Sequence, residues 1–311
     1  MVCWTDFIQG IMMFFAIVIV PAFAMHVMGG VETSLNAIDI VNPTFFNPFM
    51  NPDGSTISFI AFISLMGWGL GYFGQPHILV RFMAISSTSE LKRSKRIAVG
   101  WYSISMIAAV FVGMVGNVYL TEPLNGPDVE KVLLIMTEKL FDPFVGGLIL
   151  SAVLAAIMST ASSQLLVAAS AFSQDFYRSV IRQDASHTEL VWVSRAAVLI
   201  ISAMAISLAM NPNSFILEMV AYAWAGFAAT FGPAVLMSLF WRRTTRNGVL
   251  AGIVVGGVTV LVWKQLALFG LYEIIPGFFF GLLAIYIVSL LDKEPSKEIT
   301  DLFDAVERSN I

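Results

Sequence analysis

Charge is scarce in these 311 residues. Asp, Glu, Lys and Arg together make up 12% of the chain, against 58% hydrophobic residues and a mean hydropathy of +0.81. A soluble domain carries about 25% charged and about 45–50% apolar residues, so water is not the main solvent of this chain. Cysteine is nearly absent as well. Cys3 stands alone, and one thiol cannot bridge within its own chain, which excludes a disulfide-stapled secreted scaffold. The three histidines, His26, His77 and His187, lie in separate segments and offer no clustered metal site. A net charge of −4 leaves no basic excess for nucleic acid to meet. The signatures H-E-x-x-H, G-x-S-x-G and the P-loop are missing too. That removes the ordinary enzyme readings, and no organic cofactor is expected.

What the sequence does have is long apolar runs. A bilayer core about 30 Å thick takes roughly 20 helical residues, and eight runs are long enough. They lie near 7–28, 57–83, 97–120, 143–172, 190–210, 215–240, 248–269 and 274–291. Barrel strands would be about 10 residues long with alternating polarity, whereas these runs are longer and apolar all round. The expectation is an all-α integral membrane protein of about eight transmembrane helices, with a membrane domain over 1–291 and a cytoplasmic tail over 292–311. In the tail, Ile299, Leu302, Phe303 and Val306 recur at helical spacing among acidic residues, as in a solvated helix resting on the membrane face.

Lys and Arg set the orientation. With the first span running outward, only Lys131, Lys139 and Lys264 of the 17 basic residues fall outside, and the other fourteen fall inside. The positive-inside rule then places both termini in the cytoplasm. No Lys or Arg precedes Arg81, so the chain opens without the charged region of a leader peptide. Its apolar run begins directly after Met1, as though at the edge of a helix within a larger protein. Residues 29–56 read as a polar outer loop whose Asn42-Pro43, Asn47-Pro48 and Asn51-Pro52 steps form turns. Asp128 to Lys139 reads as a short interfacial helix.

Polar chemistry enters the membrane in two places. The second run reads G-W-G-L-G-Y-F-G-Q-P from Gly67 to Pro76, a composition that costs a helix several kcal/mol in propensity. Freed backbone groups at this depth must be satisfied by neighbouring helices or line a cavity, and a broken helix is the usual mark of a transporter's binding site. Close packing through small residues is the alternative. Trp68, Tyr72 and Pro76 follow one another at i, i+4 and i+8 and share a face if the helix stays regular. They would line either a pocket for a small, partly apolar solute or an aromatic packing stripe. His77, next in line, reads as a packing residue rather than a proton relay. Asp6, Glu218 and Lys264 lie near span ends, from which each can reach an interface.

The fourth run holds L-A-A-I-M-S-T-A-S-S-Q, Leu154 to Gln164. Hydroxyls here can bond back to a carbonyl three or four residues earlier. They can also, with the Ala156 carbonyl and the Ser159 and Thr160 hydroxyls on one face, offer three neutral oxygens to an alkali cation. No carboxylate is near enough in sequence for a divalent site.

These segments resemble a known family, the sodium:solute symporters. The likeness is carried by W-T-D-F-I-Q (Trp4–Gln9), G-Y-F-G-Q-P-H-I-L-V-R-F-M-A (Gly71–Ala84), A-A-I-M-S-T-A-S-S-Q-L-L (Ala155–Leu166) and A-Y-A-W-A-G-F-A-A-T-F-G-P (Ala221–Pro233). W-R-R-T-T-R-N-G (Trp241–Gly248) and the stretch Val262–Phe278 resemble the sodium/proline branch in particular. The resemblance implies a leucine-transporter-type fold of two inverted five-helix repeats, lodged in a bacterial cytoplasmic membrane. It implies sodium-coupled symport of L-proline, with sodium held by Ala156, Ser159 and Thr160 and proline lined by Trp68, Tyr72 and Pro76. Family members carry several helices ahead of the W-T-D motif, so those helices are expected from elsewhere, as a separate chain if not in a longer one. A symporter for pantothenate or a sugar, or a sensor module of the same fold, are the competing readings.

Overall fold

A computed structural model of the chain describes residues 2–210 and 215–308. Met1, the connection 211–214 and the last three residues of the expected tail lie outside the described residues. All regular structure among the described residues is helical. Among the described residues, seven helices are long and apolar enough to cross a membrane: Trp4–Val27, Ser89–Tyr119, Pro143–Ile181, His187–Ala209, Ile216–Phe240, Arg246–Leu266 and Ile274–Leu291. Each coincides with an expected run.

The remaining run, 57–83, is a broken segment, with a shorter apolar helix over Phe59–Gly74. Helix α3 (Phe59–Gly67) tightens into a 3-10 helix over Trp68–Gly74, and α4 (Pro76–Met83) follows after a break at Gln75. Two sets of elements form separate compact units, one from residues 1–54 and 92–215, the other from 55–91 and 216–311.

In the first unit, α1 (Val2–Val27) packs on α6 (Val132–Leu140) and α7 (Pro143–Ser170). Ala16, Val20 and Ala24 of α1 join Val112 and Val115 of α5 (Thr88–Tyr119), Met136 of α6, and Ile149 and Ala152 of α7 in one buried cluster. Side-chain caps explain where helices begin. Asp142 accepts from the amides of Phe144 and Val145 ahead of α7, with Pro143 at a position that needs no donor. Ser186 accepts from the Glu189 amide ahead of α8 (His187–Ala209). Beyond Ser170 the α7 run widens into π-helical turns over Ala171–Ile181, so this span reaches nine residues further than the apolar pattern indicates.

The polar loop expected over 29–56 holds a helix, α2 (Val31–Val41). Ser34 and Ile38 are its buried residues, and the Ser34 hydroxyl donates to the Gly30 carbonyl at 2.8 Å. Gly29 and Gly30, both at positive φ near 100°, turn the chain off the end of α1. The Asn-Pro steps do turn the chain. The Asn42 side chain accepts from the Thr44 amide at 2.9 Å, and the Asn47 side chain from the Phe49 amide at 3.0 Å. The interfacial stretch becomes a 3-10 turn over Gly126–Lys131 leading into α6.

In the second unit, α9 (Ile216–Phe240), α10 (Arg246–Leu266) and α11 (Ile274–Leu291) pack closely on one another. Gly248, Gly252 and Gly256 recur every fourth residue along the buried face of α10. A Cβ on Gly252 would strike Ile285, and one on Gly256 the Ala229 carbonyl. Small residues at this spacing let membrane helices approach backbone to backbone. The amphipathic α12 (Lys297–Arg308) lies in the expected tail.

Candidate functional site

The broken segment is built by its own sequence. A residue before proline is pushed out of the helical region, and Gln75 sits at φ −85°, ψ 111° with Pro76 opening α4. Upstream, the 3-10 turn repeats every three residues, which aligns Trp68, Gly71 and Gly74. Gly71 and Gly74 are buried against α9: a Cβ on Gly71 would overlap the Trp224 indole, and one on Gly74 the Phe227 carbonyl.

Trp224 of α9 is the hub of this contact. Its indole stacks on Trp68 with ring centres 5.3 Å apart and planes within 13°. It meets Tyr72 edge-on at 5.1 Å. Its Nε1–H donates to the Trp68 carbonyl at 3.0 Å, so a backbone acceptor in the 3-10 turn is satisfied from a neighbouring helix. In return the buried Gln75 side chain donates through Nε2 to the Trp224 carbonyl at 3.3 Å.

The structure thus brings Trp68 and Tyr72 together on one partner, by a route different from the spacing argument. Residues at i and i+4 share a face only on a regular α-helix, and the helix here is not regular. Pro76 stands beyond the break, as the first residue of a new helix. Tyr72 remains 38% exposed. Trp224 was not singled out from the sequence. Its signal was a lone indole among Ala221, Ala223, Ala225 and Gly226, because a tryptophan N–H in an apolar setting needs an acceptor.

A polar cluster lies nearby in the same unit. Tyr272 donates its hydroxyl to the Ala221 carbonyl at 2.6 Å, and its amide donates to the Ser64 hydroxyl at 3.1 Å. Burial, with the Glu273 charge behind it, raises the Tyr272 phenol above its usual range. Glu273 is 6% exposed and lies 3.9 Å from Lys264, whose ammonium also sits over the Tyr222 ring at 5.9 Å. Lys264 is therefore held by an acid and an aromatic face as well as standing near a span end. Glu273 drew no notice in the sequence because it lies between two apolar runs.

In the first unit, α7 is unbroken through Ala156, Ser159 and Thr160. Ala156 and Ser159 are half-buried and Thr160 is exposed. Three other hydroxyls on this helix bond back to its own carbonyls: Ser151 to Leu148 at 2.7 Å, Ser162 to Ser159 at 3.1 Å and Ser163 to Thr160 at 2.9 Å. Among the described residues, the hydroxyls of Ser159 and Thr160 make no hydrogen bond. Back-bonding, which accounts for their neighbours, does not account for these two. No group of three His, Cys, Asp or Glu side chains gathers for a metal among the described residues.

Comparison with known proteins defines the class. The sequence model of the sodium:solute symporter family matches residues 1–256, and the chain belongs to that family. It is 47% identical over 305 residues to the high-affinity proline transporter PutP of Bacillus subtilis strain 168, covering 97% of this chain and 63% of that one. It is 46% identical over 307 residues to the sodium/proline symporter of Escherichia coli strain K12, covering 97% and 60%. The osmoregulated proline transporter OpuE of Bacillus subtilis is similar at 46% over 308 residues, covering 98% and 62%. The chain thus spans about three fifths of the length of these curated relatives. In fold it matches a Na+-coupled sialic acid symporter in a substrate-bound, outward-open state, with a TM-score of 0.73 over 95% of this chain and 63% of that one. At 20% identity that likeness concerns the fold alone.

Proposed function

We propose that this chain takes part in sodium-coupled symport of L-proline into the cell by alternating access, with no enzymatic step. The observation that carries the reading is the Trp68–Gly74 turn, an interrupted membrane segment whose aromatic side chains are gathered on α9. Interrupted helices at membrane depth are where transporters hold their solutes. The names of the similar proteins, each a proline transporter or sodium/proline symporter, support proline as that solute.

In this reading Trp68, Tyr72 and Pro76 line the proline pocket. A small, largely apolar ring is held there by contact area, and the exposed part of Tyr72 forms one wall. Sodium is co-transported cargo, and its ligands on this chain are the Ala156 carbonyl and the Ser159 and Thr160 hydroxyls. Neutral oxygens suit an alkali ion, and two hydroxyls not engaged by the helix are free to turn toward it. The membrane is the bacterial cytoplasmic one, with the basic loops, both termini and the α12 tail on the inner side. The helices that relatives carry outside the match complete both sites, from a longer chain or a separate one.

The test is solute competition. Vesicles containing this chain, co-produced with the portion of the Escherichia coli relative outside the match, are given labelled proline in the external medium. Uptake blocked by unlabelled proline, and indifferent to pantothenate and sugars, is the expected result. Block by pantothenate or a sugar at lower concentration than by proline overturns the assignment.

A further inference from the structure

We infer that Trp224 is a positioning residue for the solute site: it fixes the 3-10 turn that presents Trp68 and Tyr72, and so sets proline affinity. This rests on the proline reading of that site and adds to it a residue on a different helix.

The geometry leaves the turn few other ways to stand. A 3-10 helix has poorer hydrogen bonds than an α-helix and rarely runs beyond three or four residues, yet this one covers seven, Trp68–Gly74. Something outside the turn must hold it, and Trp224 touches it in four ways. The indole N–H takes the Trp68 carbonyl at 3.0 Å, which fixes the first residue of the turn. The indole face stacks on the Trp68 ring and its edge meets the Tyr72 ring, which fixes two side-chain orientations. The indole fills the space where a Cβ on Gly71 would lie, so the turn reaches α9 only because residue 71 is glycine. The Trp224 carbonyl accepts from Gln75, which ties the far end of the turn at the break.

These contacts secure both ends and the middle of the turn from one residue of α9. Phe227 and Ala228, one turn further along α9, add backbone contact at Gly74 but no polar tie. The ring of Trp224 is already spent on Trp68 and Tyr72, so its influence on a solute passes through those two side chains.

Three substitutions separate the components. Trp224→Phe keeps an aromatic face and loses the N–H; Trp224→Ala loses both; Gly71→Ala pushes on the indole from the side of the turn. In the purified 311-residue chain, amide hydrogen exchange over 68–75 is expected to speed up in all three, most in Trp224→Ala, with exchange in α7 unchanged. In vesicles that also hold the relative's remaining portion, Trp224→Ala is expected to raise the proline concentration for half-maximal uptake about tenfold or more, and Trp224→Phe about threefold. The maximal rate and the sodium dependence stay close to those of the unaltered protein.

Unchanged exchange over 68–75 in Trp224→Ala overturns the inference, whatever proline does. A lower maximal rate in proportion to lower abundance, with proline affinity intact, also overturns it and leaves Trp224 a packing residue. Proline failing to bind the unaltered assembly overturns the solute assignment instead, and the exchange result then decides the positioning claim on its own.

Discussion

Arg242 holds Asp304 with two hydrogen bonds, Nε to Oδ1 at 2.7 Å and an Nη to Oδ2 at 2.9 Å, joining the turn between α9 and α10 to the tail helix α12. Forked pairing of this kind fixes orientation as well as distance. On the same helix Ile299 and Leu302 are exposed and Phe303 is half-buried, and the arginine clasp is a polar tie that holds the tail helix in place.

The clasp makes tail docking sensitive to acid. Hydrogen bonds from Arg242, with its charge, hold the Asp304 carboxyl below the usual carboxylate value. A carboxyl depressed in this way stabilises the docked state above its undocked value and loses that contribution as pH falls through its docked one. The tail is therefore expected to stay docked at neutral pH and to release below about pH 4, the ordinary carboxylate range. Proteolysis of the 292–308 segment, followed as pH is lowered, measures it. Asp304→Asn is expected to expose the segment at neutral pH, and equal protection in both proteins would contradict the clasp.

Ser159→Ala and Thr160→Ala are each expected to raise the sodium concentration for half-maximal proline uptake several-fold. Alanine removes an oxygen proposed to ligate the ion while keeping helix propensity as good or better. Ser162→Ala and Ser163→Ala, whose hydroxyls are engaged by the helix itself, serve as controls and are expected to leave sodium dependence nearly unchanged. Equal behaviour of all four would return Ser159 and Thr160 to helix packing.

Trp68→Ala and Tyr72→Ala are expected to weaken proline binding more than they lower protein abundance in the membrane. Tyr72→Phe keeps the ring that meets Trp224 edge-on, and so is expected to fall between Tyr72→Ala and the unaltered protein. Titration with labelled proline, normalised to immunodetected protein, checks this; normal affinity in both alanine variants would refute the pocket.

Gly252→Val and Gly256→Val are expected to destabilise the α9–α10–α11 packing by about 1–3 kcal/mol or more, the range for overfilling a close-packed interior. The obstruction is backbone and a core isoleucine rather than a flexible side-chain tip. Gly257→Ala, beside only a Thr230 hydroxyl at 3.2 Å, is expected to be milder. Thermal unfolding in detergent ranks the three.

The seven long spans were legible because a bilayer imposes one length and one polarity on every helix that crosses it. The break at Gln75 was legible too, since Pro76 and its flanking glycines state it locally. Helix α2 was not, because its buried side is short: Ser34 and Ile38 sit among Glu32, Asn36 and Asp39, and the Asn-Pro steps that follow dominate the reading. Trp68 and Tyr72 were found by a spacing that the structure does not keep. What brings them together is Trp224, 156 residues away from Trp68 in sequence, and no local pattern encodes a partner at that distance. Ala156, Ser159 and Thr160 stood out as a group of polar oxygens in an apolar run. Only the fold shows that Ser162 and Ser163 spend their hydroxyls on the helix while Ser159 and Thr160 do not.

The most direct measurement of the central claim is labelled-proline uptake into vesicles holding the chain together with the relative's remaining portion, with and without an inward sodium gradient. The expected result is accumulation driven by the sodium gradient, abolished when sodium is equal on both sides, and weakened at low sodium by Ser159→Ala. Uptake of equal rate and extent with potassium in place of sodium would contradict it.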